Sequence, residues 1–322
     1  MPNYRRAFVP GGCWFFTVNL LDRRRRLLTD HIDALRAATR LTQPRHAFTI
    51  DAMVVLRRTS MAELQIRFDD GAAYERMMGI WSRLAGEIFL DWLAPRAGLR
   101  WLDVGCGNGA FTELVVERCA PAEVQGIDPS EAQLAFARAR GAARVAEFRQ
   151  GDAMALPFSA DRFDAAVMAL AIFFVSDPAK GVAEMARVVC PGGMVATYVW
   201  DVFGGGFPPE PIHAEMRALG LVPLRPPRSD VSGMEALRDL WTGANLDAVE
   251  TREIAVQRTF ADFDDFWTTS MLGASIGPTV AAMASGDVER LKTRVRARLL
   301  ADAAGRITYG ARANAIKGRV RR

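Results

Sequence analysis

Apolar positions follow different rhythms on either side of residue 61. In "GAAYERMMGIWSRLAGEIFLDWLAP", Tyr74, Met77, Met78, Trp81, Leu84, Ile88, Phe89 and Trp92 recur at helical spacing and make one wide apolar face, which Pro95 and Gly98 end. "LRWLDVG" follows, apolar on both faces as a central parallel strand requires, and then a helix with Phe111, Leu114, Val115 and Cys119 inward. Strand patterns recur in "EVQGIDPS", "ARVAEFRQGDAMALPF", "RFDAAVMALAIFFVSDP" and "VVCPGGMVATYVWD", where Pro191 and Gly192 turn a helix into a strand. The alternation predicts an open, mostly parallel α/β sheet with its ligand at the carboxyl ends of the strands. Residues 1–60 read as strand, helix, strand: "CWFFTVNLL", "LLTDHIDALRAATRL" and "AFTIDAMVVL". That is too little chain to bury a core alone.

Composition sharpens this division. The chain has 322 residues, 50% of them hydrophobic, ample for a core. No apolar run reaches the roughly 18 residues of a membrane span. The opening burst "WFFTVNLL" is followed by "DRRRR" rather than a small-residue cleavage site, so no signal peptide is expected. Four scattered cysteines, Cys13, Cys106, Cys119 and Cys190, form no CxxC and point to a reduced, cytoplasmic protein without structural zinc. The net charge of +4 is uneven. Residues 1–60 hold eleven arginines against four acids, a net +7, which leaves 61–322 at −3. The larger part is therefore not expected to meet nucleic acid.

Candidate chemistry gathers at the strand exits. Gly105, Gly107 and Gly109 follow the first strand at once and suit a tight turn that lets a nucleoside approach the backbone. Asp103 precedes them and either orients the loop or meets a ligand amine. Asp128 ends the second strand, where an acid accepts both hydroxyls of a ribose or caps the next helix. Asp152 and Ala153 leave the third strand, at a place suited to an adenine edge. Ala169 lies at the exit of the fourth.

These motifs closely resemble the class I S-adenosylmethionine-dependent methyltransferases, in particular the type 11 group of small-molecule enzymes. "LDVGCGNGAF", "GIDPS", "GDAMALPF" and "FDAAVMALAIFFVSDPAKGVAEMARVVCPGGMV" match that family's successive motifs. The resemblance covers about 61–322 and implies a seven-stranded Rossmann-like sheet with helices on both faces. Its last two strands would be "ETREIAVQRTF" and "GRITYGARANAIKGRV". It implies S-adenosylmethionine as cofactor and argues against NAD, whose folds favour GxGxxG. Where relatives often carry histidine in the fourth motif this chain has Phe173, so no histidine base is expected there. Tyr74 would close over the cofactor or simply join the core.

"MPNYRRAFVPGGCWFFTVNLLDRRRRLL" and "HAFTIDAMVVL" resemble the opening of REP-associated single-tyrosine transposases of the IS200-like group. The family's histidine pair is absent, because His31, His46 and His213 form none, so transposition is not expected. Residues 1–60 are read as a truncated leader, with Met61 a plausible original start, or as an arginine-rich DNA-binding tag.

Two segments, about 201–247 and 261–305, are candidates for a cap over the acceptor. Phe173, Trp200, Phe207, Phe266 and Trp267 would line it, or pack beneath surface loops. Basic residues 292, 294, 296 and 298 read as a solvated helix face. No catalytic triad, acid pair or metal cluster has recognisable spacing, so no general base is assigned. The expected activity is methyl transfer to a small molecule, and the alternative is a non-catalytic protein of the same fold.

Overall fold

A computed structural model describes residues 75–322, together with Ala37. The chain divides into two units, Met1–Gln65 and Ile66–Arg322. The transposase-like segment and Tyr74 lie outside the described residues.

Seven strands form one sheet: β1 (Arg100–Val104), β2 (Glu123–Asp128), β3 (Ala146–Gln150), β4 (Phe163–Ala169), β5 (Val189–Trp200), β6 (Asp247–Phe260) and β7 (Ile307–Arg319). Their order is β3-β2-β1-β4-β5-β7-β6. β7 runs antiparallel to both neighbours, and the other pairings are parallel. The central strands β1, β2 and β4 are buried on both faces, as their unbroken apolar runs require. At one edge, β6 alternates: Ile254, Val256, Arg258 and Phe260 point inward, and their neighbours face water. The order reverses between β1 and β4. Right-handed crossovers therefore put the helices on opposite faces and open a crevice at that point.

The helices are α1 (Ile80–Leu93), α2 (Ala110–Cys119), α3 (Glu131–Ala139), α4 (Pro178–Val188), α5 (Glu210–Ala218), α6 (Met234–Gly243), α7 (Phe263–Met271), α8 (Gly277–Ala281) and α9 (Ser285–Arg298). α1 packs on α2 and β6 through Trp81, Ala85 and Phe89, all buried. It starts later than its apolar spacing predicts, because Glu75–Gly79 form a π-turn. Its end falls where predicted: Ala94 is left-handed and donates back to the Leu90 carbonyl, just before Pro95. α4 starts on Asp177, whose carboxylate accepts the Lys180 N–H, with Pro178 in its first turn.

Two expectations are corrected. Pro191 and Gly192 do not separate helix from strand. α4 ends at Val188, Val189 already pairs with Phe163, and Cys190–Gly193 make an irregularity inside β5 before Met194 pairs with Ala165. The second half of 201–247 is α6, which packs on α4, β6 and β7 and donates from Trp241 Nε1 to the Val195 carbonyl. That makes it a flanking helix of the sheet.

Candidate functional site

The glycine loop leaves β1 with Gly105, Gly107 and Gly109 all at positive φ. Their reasons differ. A Cβ on Gly105 would strike the Ala171 Cβ at 2.5 Å, and one on Gly109 would crowd Ala137 of α3 at 3.0 Å. A Cβ on Gly107 would meet nothing within 4 Å, so this glycine alone faces open space. The Gly105 and Cys106 amides both donate to the Ile127 carbonyl and tie the loop to β2.

Two acids frame it. Asp103 is fully buried on β1. Its Oδ2 accepts the Thr112 hydroxyl at 2.6 Å, while Oδ1 has no partner. Burial pushes its carboxyl up to about 7, against the Thr112 bond and with help from the Asp128 charge. Asp128 ends β2, with Oδ2 accepting the Gly107 N–H at 2.9 Å and Oδ1 the Ser130 N–H at 2.8 Å. Burial raises its carboxyl, and the two amides oppose the rise. Helix α3 is capped by Ser130, not by Asp128, so that acid is not consumed by capping.

Neighbouring strand exits come close. Gly151 donates to the Asp128 carbonyl, which brings the β3 exit beside β2. Asp152 Oδ1 accepts the Met154 N–H. β4 ends at Ala169, and Leu170 follows at φ 55° with its amide on the Tyr198 carbonyl. Ala171 then abuts Gly105. The structure thus brings Asp103, Gly105, Gly107, Gly109 and Asp128 together where β1 and β2 end, with Asp152 and Ala153 following Gly151 at the β3 exit and Ala169 at the end of β4.

The π-turn is fastened on two sides by residues that sequence reasoning missed. Glu75 Oε2 accepts from Asn108 of the glycine loop and from Arg140, and Arg140 also holds the Asn108 carbonyl and Glu113. On the other side Arg258 of β6 donates to the Arg76 and Met77 carbonyls and lies over the Phe260 ring. A signal for Arg258 existed: it occupies an inward register position between Val256 and Phe260.

The five candidate acceptor residues are all buried. Phe266 meets Phe260, Phe263 and Tyr309, and Trp267 stacks on Phe263. Tyr309 reaches Trp81 and donates to the Pro208 carbonyl, next to Phe207. Trp200 ends β5 opposite Ala313, and Phe173 packs edge-on against Phe174. Both cap segments meet where α9 crosses α5. There Arg294 and Arg298 clasp the buried Glu215 carboxylate, and Lys292 and Arg296 reach Asp264. The basic face of α9 is a solvated one, as expected, with Arg294, Arg296 and Arg298 exposed while they pair with these acids.

Among the described residues no cluster of His, Cys, Asp and Glu is placed to hold a metal, and no helix is long and apolar enough to cross a membrane.

A seven-stranded sheet in this order, with an acid, a three-glycine loop and a second acid at its switch point, is the class I methyltransferase fold. Residues 102–197 match the family model described as "Methyltransferase domain". The ubiquinone/menaquinone biosynthesis C-methyltransferase UbiE of Dinoroseobacter shibae is 37% identical over 121 residues, 36% of this chain and 48% of that one. A demethylmenaquinone methyltransferase of Thermus thermophilus is 35% identical over 133 residues, 41% and 56% of the two chains. The chain spans about half the length of these curated relatives. The solved structure of YcgJ from Bacillus subtilis has a TM-score of 0.52 at 18% identity, over 74% of this chain and 98% of that one, a likeness of fold.

Proposed function

We propose that this chain transfers a methyl group from S-adenosylmethionine to a small-molecule acceptor. The observation that carries the reading is the buried Asp103 carboxylate with one oxygen unpartnered, beside a glycine loop open at Gly107. An isolated buried carboxylate is costly, and a cation offsets that cost. The cofactor's methionine ammonium and sulfonium are such cations. Asp128 keeps lone pairs beyond the two amides for ribose hydroxyls. Among the described residues Asp152 Oδ2 and the Ala153 N–H have no partner, and they suit the amino group and a ring nitrogen of adenine. Ala169 lies beside the methionine part in this reading, and Tyr74 covers it.

When bound, the cofactor would supply a methyl on a charged sulfur with a neutral leaving group. The chain's own tasks are then to align the acceptor with that methyl and to exclude water. The buried aromatics around Tyr309 and Phe207 support an apolar acceptor side. The relatives' names put an activated aromatic carbon among the first acceptors to try. Residues 1–60 are proposed as a leader with no part in the reaction.

Calorimetry with S-adenosylhomocysteine tests the cofactor site: the full chain should bind it, and Asp128→Ala should weaken binding at least ~10-fold through loss of charged hydrogen bonds. An unchanged dissociation constant would remove the ribose assignment. Labelled methyl should then pass into a small-molecule metabolite pool. Binding without transfer would favour a non-catalytic protein.

A further inference from the structure

Glu75 and Gly79 bound the π-turn, and a side chain in a helix leans back over the turn before it. A Cβ on Gly79 would accordingly point at Glu75. The three heavy atoms nearest to it all belong to the Glu75 carboxyl, two of them at 2.7 Å. Gly79 has ordinary helical dihedrals, φ −54° and ψ −45°, so its backbone does not require glycine. What the missing side chain provides is room for the carboxylate to fold back over the turn.

From there the carboxylate reaches the middle of the glycine loop. Its Oε2 accepts from Asn108 Nδ2 at 3.0 Å and from Arg140 Nη2 at 2.6 Å. Arg140 Nε donates to the Asn108 carbonyl at 2.7 Å, and its Nη1 to Glu113 of α2 at 2.8 Å. Asn108 Oδ1 accepts the Ala110 N–H at 3.3 Å. The buried Asn108 is thus held by its main-chain carbonyl and by both ends of its side chain. Its neighbours Gly107 and Gly109 have no side chains to hold, and glycine leaves a loop conformationally free. Whatever fixes Asn108 therefore fixes the loop on either side of it, including the Gly107 N–H on Asp128. The Glu75 and Arg140 side chains are 47% and 21% exposed, and an ion pair so open to water adds little to folding. Its effect falls on orientation.

Resting on the methyl-transfer reading, we propose that Glu75 is a positioning residue for the cofactor: reaching across the bare Gly79, it joins Arg140 in holding Asn108 and so keeps Gly107 and Asp128 in the arrangement that receives the nucleoside. Gly79, immediately before α1 rather than in the loop, acts on cofactor affinity through Glu75 alone.

The full chain is compared with Glu75→Ala, Glu75→Gln, Gly79→Ala and the double variant Glu75→Ala with Gly79→Ala, by calorimetry with S-adenosylhomocysteine and by thermal melts. Glu75→Ala should weaken binding ~5-fold, as the loss of a hydrogen bond or two from the loop implies. Glu75→Gln still accepts from Asn108 and should recover most of that loss. Gly79→Ala should weaken binding as much as Glu75→Ala and yet melt no lower, because alanine favours a helix over glycine and the displaced carboxylate can swing into water. In the double variant the two losses should not add. A Gly79→Ala protein that binds S-adenosylhomocysteine like the wild type would overturn the proposal, as would losses that multiply in the double variant. A wild type that binds none of the compound fails the methyl-transfer reading instead. Amide exchange in the ligand-free chain separates the two: at Gly107 and Asn108 it should quicken in Glu75→Ala and Gly79→Ala alike, and unchanged exchange there would sink the positioning role.

Discussion

Single residues carry most of the site's chemistry, and their burdens can be separated. Asp103 titrates near 7 instead of near 4, so the folded state holds its proton more tightly than the unfolded chain does. Its contribution to stability is whole at low pH and is lost as pH rises from the ordinary carboxylate range to about 7. The loss is at most ~4 kcal/mol. Asp103→Asn keeps a partner for Thr112 and removes the charge. Its melting temperature should exceed that of the wild type by a margin that widens from pH 5 to pH 8, as read by calorimetry. A margin independent of pH would contradict the assignment. The glycines divide in the same way. Alanine at either position carries ~1–2 kcal/mol of left-handed strain. Gly109→Ala adds a collision with Ala137 and should destabilise more in denaturant melts. Gly107→Ala points its methyl into open space, so its main effect should be weaker binding of S-adenosylhomocysteine.

At the scale of elements, the turn ahead of α1 links the two halves of the site. Glu75 binds it to the glycine loop, and Arg258 binds its carbonyls to the strand that carries Phe260. Arg258→Met removes the second tether while retaining an apolar stem over Phe260. Amide hydrogen exchange at 75–79 should then accelerate, with β1, β4 and β5 unchanged. Unaltered protection at 75–79 would show that Glu75 suffices. The sequence disclosed the strands well wherever both faces are buried, since "LRWLDVG" and "FDAAVMA" admit little else. It also marked Asp103 and Asp128 at their strand ends, because polar side chains at the ends of apolar runs stand out. It hid the π-turn, because Met77, Met78 and Trp81 keep helical spacing although the backbone of Glu75–Gly79 is underwound. It hid Arg140 and the α9 ion pairs because a surface-type residue shows its partner only when the fold brings a distant carboxylate beside it. Cap aromatics were visible as a class, but their spacing does not distinguish packing from lining.

For the whole molecule, the cofactor side and the acceptor side come from different stretches of chain. Residues 103–169 hold the cofactor candidates other than Tyr74, and the acceptor candidates run from Phe173 to Trp267. Residues 1–60 belong to neither group. Deleting 1–60 should leave the affinity for S-adenosylhomocysteine within ~2-fold, since no cofactor candidate lies in that stretch. A large loss on that deletion would assign the leader a working role.

β6 and β7 are adjacent and antiparallel, and their ladder closes with Phe260 opposite Ile307. All of 261–306 is thus an excursion that leaves and re-enters the sheet at a single rung. An ordinary hairpin would need only a tight reversal there. Such an arrangement leaves the length of the excursion independent of the register of the central parallel strands. A replacement would have to re-cover Phe260 and Tyr309 and supply new partners for Glu215 of α5.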